Sequence, residues 1–275
     1  MKVKTKLTPG DWGLLIAAIV ILSGVLIAGW LAIGTPATGI VLIAGVGVIL
    51  FAVLQGQRKL LEQVRRSRAD SEQLGDLFGL YFALSGMLPP LPKTGGYAAS
   101  ADFLRVIYEQ TRTNRPNLVI ELGSGSSTVI GGYALRQNGS GRLVSIDHLD
   151  QYAEQSRSAV SFHGLDNYCR VLVCPLTNHS VGDGHWQWYS LENVDPGEAV
   201  DLVIVDGPPR RLQELSRYPA LPVLSSWLSK GVTIIVDDAD RPDEQRMISK
   251  WIEENPRLQS EYLGTRKGTC ILYYQ

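Results

Sequence analysis

Short apolar runs that alternate with helical patterns constrain the fold of this chain more than any other feature of its sequence. Continuous apolar strands separated by helices are typical of a parallel sheet covered on both faces, so the sequence predicts an α/β domain. The predicted strands are 118–121, 142–147, 170–174, 201–206 and 232–237, with two further β-rich runs at 258–263 and 269–274. The predicted helices in this region are 101–113, 126–137, 150–162, 220–229 and 242–254.

Composition excludes several classes of protein. Hydrophobic residues make up 45% of the chain and charged residues 19%, which does not fit a disordered chain. The net charge of −1 lacks the basic excess of a generic nucleic-acid binder, so no nucleic-acid partner is expected. The three cysteines, Cys169, Cys174 and Cys270, form no CxxC pair, which predicts reduced, buried thiols rather than a disulfide scaffold or a zinc site.

The N-terminal part carries a long stretch without charge, from Trp12 to Gln57. A turn at Gly34–Gly39 divides it into two runs, 12–33 and 36–54, each about as long as a bilayer core is thick. These features predict a two-span transmembrane hairpin. A cleaved signal peptide and a buried hairpin of a soluble protein are the alternatives.

The charged residues that flank this stretch predict its orientation. Three lysines precede the first run, five basic residues follow the second between 58 and 68, and the connecting turn has no charge. Positive residues favour the cytoplasmic side, which predicts an inner-membrane protein with both termini and the soluble domain in the cytoplasm. Segment 58–85 has helical periodicity; its basic residues are interpreted as contacts to membrane lipids or as a solvated face, and a stalk that forms a homodimer is a further option.

A proline- and glycine-rich segment, Leu88–Gly96, marks a domain boundary. The predicted organisation is therefore a hairpin over 1–57, a juxtamembrane helix and linker over 58–94, and an α/β domain over 95–275.

Acidic residues end four of the five central strands. The carboxyl ends of parallel strands meet at one edge of the sheet, where ligands bind at the point at which the strand order reverses. Carboxylates gathered there do little for stability alone, so they predict a ligand or metal site. The residues concerned are Glu121, Asp147, Asp206, Asp237 and Asp238.

The most specific motif is Glu-Leu-Gly-Ser-Gly-Ser-Ser-Thr over 121–128, between the first strand and its helix. Gly123 and Gly125 allow a tight turn and a close approach of the backbone to a ligand. Asp147, at the end of the next strand, suits the two hydroxyls of an adenosine ribose. Thr128 replaces the third glycine of the dinucleotide fingerprint, which disfavours an NAD site.

This motif, together with Ser-Ile-Asp-His over 145–148, resembles class I S-adenosylmethionine-dependent methyltransferases. Segments 95–103, 205–209 and 236–243 resemble a bacterial branch that is often associated with glycan or secondary-metabolite methylation. The resemblance extends from about Gly95 to the C-terminus. It implies a Rossmann-like, doubly wound, seven-stranded sheet with an antiparallel C-terminal strand, and S-adenosylmethionine as cofactor.

The resemblance also implies roles for single residues. The motif would surround the methionine part of the cofactor, and Tyr97–Ser100 would close over that end. Asp147 would bind the ribose. Cys174-Pro-Leu replaces the acid that often contacts the adenine amino group in this family, which puts that contact in doubt. The implied cofactor-binding residues are Glu121, Gly123, Ser124, Gly125, Ser127, Asp147, His148, Pro175, Leu176 and Asp206.

Asp206 after the fourth strand and Asp237–Asp238 after the fifth resemble metal-dependent catechol-type O-methyltransferases. This implies Mg²⁺ or another divalent cation held by the three carboxylates, which would acidify and orient a substrate hydroxyl. The alternative is that Asp206 only contacts the cofactor while the other two acids cap a loop and a helix. Pro209 stands where that family often has a lysine base, so Asp206 or Asp238 is the predicted catalytic base.

The acceptor is the least constrained part of the prediction. Arg210, Trp188 and Tyr189 are candidate substrate contacts, since arginine pairs with anionic groups and aromatic rings stack on sugars. A solvated loop and core packing are the respective alternatives. The leading hypothesis is a membrane-anchored S-adenosylmethionine-dependent methyltransferase that acts on oxygen of a glycan, a lipid-linked or a small hydroxylated acceptor. An NAD-dependent nucleotide-sugar enzyme and a non-catalytic membrane adaptor are the alternatives.

Overall fold

The structure is a computed structural model that describes residues 20–21, 23–25, 27–29, 31, 34, 36–84, 90–92, 99–182 and 184–274; for 36–38, 40–42, 44 and 66 it describes the backbone alone. The chain divides into two compact units, residues 1–69 and 70–275, which are considered separately.

A single helix, α1 (Pro36–Ala83), contains both the second predicted span and most of the predicted helix over 58–85. Over the part of the chain that the structure describes, no helix combines the length and the hydrophobicity needed to cross a membrane. The predicted hairpin with spans 12–33 and 36–54 is therefore not supported, and the predicted inner-membrane localisation is wrong. The prediction rested on the uncharged stretch, on the lengths of its two runs and on the flanking basic residues. In the structure the second run does not form a separate element, because its helix continues through the basic segment 58–68 to Ala83. Residues 1–19, with the N-terminal lysines, lie outside the described residues.

The second unit contains a seven-stranded sheet in the order β3-β2-β1-β6-β7-β9-β8. Strands β1, β2, β3, β6 and β7 are parallel, and β9 runs antiparallel to both β7 and β8. This confirms the predicted Rossmann-like sheet with an antiparallel C-terminal strand. The strands are β1 (Leu118–Leu122), β2 (Arg142–Asp147), β3 (Cys169–Val173), β6 (Val200–Val205), β7 (Leu228–Asp237), β8 (Leu258–Leu263) and β9 (Thr269–Tyr274).

Helices cover both faces of this sheet, as its apolar strands require. One face packs against α2 (Ala101–Asn114), α3 (Ser126–Asn138) and α4 (Asp150–Phe162), and the other against α5 (Ala220–Leu224) and α6 (Pro242–Glu254). Because side chains alternate along a strand, Ile120 and Leu122 of β1 face the second group while Val119 faces the first. The three cysteines are free and buried, as predicted.

The sequence analysis missed a small antiparallel sheet of two strands, β4 (Leu176–Val181) and β5 (Gly184–Tyr189). Both strands mix polar and apolar residues and lack the aliphatic runs of the central strands, so their sequence pattern predicts no strand. The predicted helix over 220–229 is also shorter than expected: α5 gives way to a 3-10 turn, and β7 already begins at Leu228.

The order of the strands reverses between β1 and β6, which lie side by side in the middle of the sheet. The chain leaves the carboxyl end of β1 through Gly123 and that of β6 through Asp206 and Gly207. Since crevices form at such a reversal, this edge is where a ligand is expected.

Candidate active site

The turn after β1 brings two stretches of backbone into close contact. Gly123 has a φ of +98°, and a Cβ added there would lie 3.2 Å from the backbone nitrogen of Gly207. The Gly123 amide donates a hydrogen bond of 2.8 Å to the carbonyl oxygen of Ile146 on β2. Glycine is therefore required at this position by both conformation and space, and the turn is fixed between its neighbouring strands.

Asp147 ends β2 and holds this turn through its carboxylate. Its Oδ2 atom accepts hydrogen bonds from the backbone amide of Ser124 at 3.2 Å and from the Ser124 hydroxyl at 3.0 Å. Its Oδ1 atom accepts one from the Leu149 amide at 3.0 Å and lies 3.5 Å from Nδ1 of His148. Burial raises the pKa of Asp147, but the hydrogen bonds from His148, Leu149 and Ser124 outweigh burial and leave the pKa below its usual value. Asp147 is therefore a carboxylate at neutral pH.

Glu121 is fully buried beneath the first turn of α3. Its Oε2 atom accepts a hydrogen bond of 2.5 Å from the Thr128 hydroxyl, which itself accepts one from the Gly125 amide at 3.1 Å. Burial raises the pKa of Glu121 to about 7, opposed chiefly by the hydroxyls of Ser127 and Ser145. This arrangement braces the start of α3 from below.

The other predicted cofactor residues lie around the same edge. His148 is half-buried, with its ring centroid 6.2 Å from that of Tyr189 on β5. Leu176 is half-buried and stands opposite Tyr189 in the register of the small sheet. Pro175 is exposed, and its carbonyl oxygen accepts a hydrogen bond from the Ser190 amide. The predicted closing segment 97–100 is only partly described, because Tyr97 and Ala98 lie outside the described residues.

The three residues predicted to contact the acceptor differ in their exposure to solvent. Trp188 and Tyr189 are buried in the core, whereas Arg210 is exposed in a 3-10 turn, Arg210–Leu212. On the same hairpin, Trp186 is only half-buried, and its ring centroid lies 4.9 Å from that of Tyr218. Trp186 is thus the more accessible aromatic ring of the pair Trp186 and Trp188.

Gly207 gives a direct test of how tightly this edge is packed. A Cβ at this position would lie 2.2 Å from the hydroxyl oxygen of the buried Tyr189. We expect Gly207→Ala to lower the free energy of unfolding by about 1–3 kcal/mol, the usual cost of overpacking. Denaturant unfolding measures this loss, and Tyr189→Phe combined with Gly207→Ala should recover part of it because the clashing oxygen is gone. Equal losses in the single and double variants would contradict this explanation.

Asp206, Asp237 and Asp238 come together at the ends of β6 and β7, as predicted. One carboxylate oxygen from each lies within 4.8 Å of the others. Asp237 and Asp238 are buried, whereas the Asp206 side chain is 20% exposed. Burial, followed by the charge of Asp237, raises the pKa of Asp206 to about 8. Burial, followed by the charge of Asp238, likewise raises the pKa of Asp237.

Three cationic side chains surround these acids. Arg217, which is buried, donates from Nη2 to Asp238 Oδ2 at 3.0 Å and to Asp206 Oδ1 at 3.2 Å. Arg241 Nη1 lies 2.7 Å from Asp238 Oδ2, and Lys267 Nζ lies 3.6 Å from Asp237 Oδ2. The acidic cluster is therefore largely neutralised by the protein itself.

These contacts bear on the predicted divalent cation. Mg²⁺ takes carboxylate oxygens and water, so the chemistry of the three carboxylates suits it, and neither oxygen of Asp237 has a hydrogen-bond partner in the described part of the chain. The Arg217 guanidinium, however, already binds Asp206 and Asp238 from within the cluster. The residues as arranged therefore do not fit the predicted divalent ion in addition to the guanidinium.

Arg217 is the residue of this site that sequence reasoning missed. Like Arg210, Arg217 lies in the segment after β6, where the sequence pattern predicts an anion contact or a solvated loop; Arg210 is exposed, but Arg217 is only 4% exposed. The available signal was its neighbourhood: Tyr218, Ala220 and other apolar residues follow it directly. Arginine is rarely buried without acidic partners, and here those partners are Asp206 and Asp238, for which the sequence predicts a metal or catalytic role.

Comparison with known proteins agrees with this geometry. Residues 120–239 match the family Methyltransf_24, described as a methyltransferase domain. This segment has a methyltransferase-domain fold. The match covers less than half of the chain and contains the glycine turn and all five acids at the strand ends. No curated protein matches the chain at a significant level.

Several solved structures resemble this chain at low sequence identity, and the first of those described here supports the fold. SAH-bound PaMTH1, a methyltransferase of Podospora anserina, is 15% identical; the alignment covers 65% of this chain and 80% of that one, with a TM-score of 0.50. An SAH-bound O-methyltransferase of Bacillus cereus is 16% identical, covering 74% of this chain and 91% of that one at a TM-score of 0.49. TomG of Streptomyces achromogenes, an O-methyltransferase involved in tomaymycin synthesis and solved with SAM, is 17% identical, covering 65% and 82% at a TM-score of 0.49.

Proposed function

We propose that this chain is an S-adenosylmethionine-dependent methyltransferase that methylates an oxygen of a hydroxylated acceptor. The observation that carries the proposal is Asp147, a carboxylate at the end of β2 that is hydrogen-bonded to the backbone of the glycine turn at the reversal of strand order. An acid in this place suits a ribose, and the methyltransferase-domain match includes it. When bound, the cofactor would supply a methyl group activated by its positively charged sulfur.

The residues at this edge fit such a cofactor. Gly123 and Gly125 carry no side chains, so a ligand can approach the backbone of the turn closely at these two positions. We assign the turn, with Ser124 and Ser127, to the methionine part and Asp147 to the ribose hydroxyls. Glu121 acts from beneath, because it is fully buried and contacts Thr128 rather than the crevice.

Three further residues are assigned to the adenine side of the site. His148, Pro175 and Leu176 follow β2 and β3 at the same edge of the sheet. His148 is beside Asp147, and Leu176 is opposite the buried Tyr189 in the small sheet. Apolar and aromatic surfaces are common linings of sites for flat ligands, which supports the assignment.

Asp206 is the better candidate for the base that takes a proton from the acceptor hydroxyl. Its side chain is partly exposed, and its pKa of about 8 is close to physiological pH, where general bases are most effective. Asp238 is buried and contacts two arginines, Arg217 and Arg241, which makes it a poor proton acceptor. We therefore assign proton transfer to Asp206.

For the acceptor we propose a small hydroxylated molecule or a glycan. A lipid-linked acceptor was expected only because of the hairpin, and that reason is gone. Half-buried Trp186 lies on β5 and provides a ring surface, and exposed Arg210 lies in the 3-10 turn after β6 and provides an anion contact.

Calorimetric titration of the full chain tests the cofactor first. We expect S-adenosylmethionine and S-adenosylhomocysteine to bind with Kd values of about micromolar order, and NAD⁺ not to bind. Binding of NAD⁺ alone would favour the nucleotide-sugar alternative, and binding of neither would contradict the proposal. Radiolabelled methyl transfer to a panel of hydroxylated sugars and phenols then tests catalysis; cofactor binding without transfer to any acceptor would favour the adaptor alternative.

A further inference from the structure

The position of Arg217 has a consequence for the chemistry of the acidic cluster. This residue lies between the 3-10 turn and α5, with its side chain only 4% exposed. Besides the carboxylates of Asp206 and Asp238, it bonds to main-chain oxygens: Nη2 donates to the Asp206 carbonyl at 2.8 Å and Nη1 to the Asp237 carbonyl at 2.9 Å. One guanidinium thus connects the ends of two neighbouring parallel strands.

Arg217 binds two of the three carboxylates that a divalent cation would require, through one oxygen of each. A cation between β6 and β7 would use the carboxylates of Asp206 and Asp238, and both already accept a hydrogen bond from Nη2. Arginine remains protonated at any physiological pH, so it cannot make room by losing its proton. A dication at this point would therefore meet a fixed positive charge at close range.

The numbers of acidic and basic side chains in the cluster also argue against a divalent cation. Asp206, Asp237, Asp238 and buried Glu244 are four acids, and Arg217, Arg241 and Lys267 are three bases that lie within 4.0 Å of them. With four acids and three bases, the cluster comes within one unit charge of neutrality without a metal.

We propose that the Arg217 guanidinium takes the place of a divalent cation at the ends of β6 and β7. The chain then binds no divalent ion there, and Arg217 is a positioning residue that orients Asp206 from its buried side. The statement about metal binding stands by itself, whereas its consequence, methyl transfer that needs no metal, rests on the proposed function.

The test uses the full chain and Mn²⁺ as the probe, with free Mn²⁺ followed by electron paramagnetic resonance. The variants are Arg217→Met, which removes the cation, Arg217→Lys, which keeps a charge at the site, and Arg241→Met as the matched control. Arg241 contacts Asp238 but is 37% exposed and has no contact to Asp206, so its removal leaves Arg217 in place.

We expect no Mn²⁺ binding by the wild type, Arg217→Lys or Arg241→Met, and binding of a single equivalent by Arg217→Met. A thermal melt should agree, with Mn²⁺ raising the Tm of Arg217→Met alone, since a ligand that binds only the folded state stabilises it. The stabilisation also counters the cost of removing Arg217, which leaves buried carboxylates unpaired.

Two results would overturn the proposal. One is stoichiometric Mn²⁺ binding by the wild type that Asp237→Asn abolishes; the other is a folded Arg217→Met variant that binds no Mn²⁺. If Arg217→Met does not fold even with Mn²⁺, the wild-type titration decides, because binding contradicts the proposal and its absence supports it. Turnover that is unchanged by EDTA would extend the support to catalysis, while a chain that shows no turnover contradicts the proposed function and leaves the Mn²⁺ result intact.

Discussion

Replacement of Asp206 by asparagine is expected to lower kcat by roughly 10²–10⁴-fold, the usual contribution of a general base. Asparagine keeps the shape of the side chain but cannot accept the proton of the acceptor hydroxyl. Cofactor affinity should change little, because Asp147 and the glycine turn are untouched. Initial rates at saturating cofactor, together with calorimetric titration of the same sample, separate the two effects.

A matched control lies on the same strand. Asp201, near the start of β6, accepts a hydrogen bond from the Asn117 amide at the opposite end of the sheet. Asp201→Asn makes the same chemical change far from the candidate site, so its kcat should stay close to that of the wild type. If Asp206→Asn retains full kcat, proton transfer does not run through Asp206.

The pH dependence follows from the pKa of Asp206, which burial and then Asp237 raise from the ordinary range to about 8. The carboxylate is the form that accepts a proton, so kcat should rise with pH until about 8 and then level off. Stability should move the other way: the folded protein holds a proton that the unfolded chain releases, so the free energy of unfolding falls as pH rises from about 4 to about 8. Asp206→Asn should remove this part of both dependences.

The sequence predicted the structure best for the buried parallel strands that end at the edge of the sheet where a ligand is expected. Leu118–Leu122 and Val200–Val205 are almost purely apolar because both faces of each strand are covered, and that pattern needs no tertiary information to be recognised. Glu121 near the end of the first strand and Asp206 directly after the second are easy to recognise because the residues around them are apolar. The parallel sheet and the gathering of Asp206, Asp237 and Asp238 could therefore be predicted.

The features that the sequence did not predict correctly have physical explanations. The strands of the small sheet, 176–181 and 184–189, are half exposed, so their pairing leaves only a weak periodic signal. The partners of Arg217 lie 11 to 27 positions from it along the chain, and the apolar residues that follow it are only a weak local sign that its side chain is buried. The length of the uncharged run 36–54 and its flanking basic residues do not show that its helix continues to Ala83, so the sequence pattern does not reveal that the run is part of a longer helix.

Asp147→Ala is expected to weaken the binding of S-adenosylmethionine by roughly 10²-fold, since a hydrogen bond to a charged acceptor contributes about 1.5–3 kcal/mol. The change removes the proposed acceptor of the ribose hydroxyls and also the hydrogen bonds that hold Ser124 and Leu149. It should therefore lower Tm as well, and titration is to be done well below the Tm of the variant.

The control for this change is Asp150→Ala, three positions further along the chain. Asp150 begins α4, and its side chain is 83% exposed, so the substitution removes the same charge without touching the turn. A long-range effect of charge would weaken binding in both variants, whereas the proposed contact predicts a loss in Asp147→Ala alone. Wild-type affinity in a folded Asp147→Ala sample would rule out Asp147 as the ribose contact and remove the observation on which the proposed function rests.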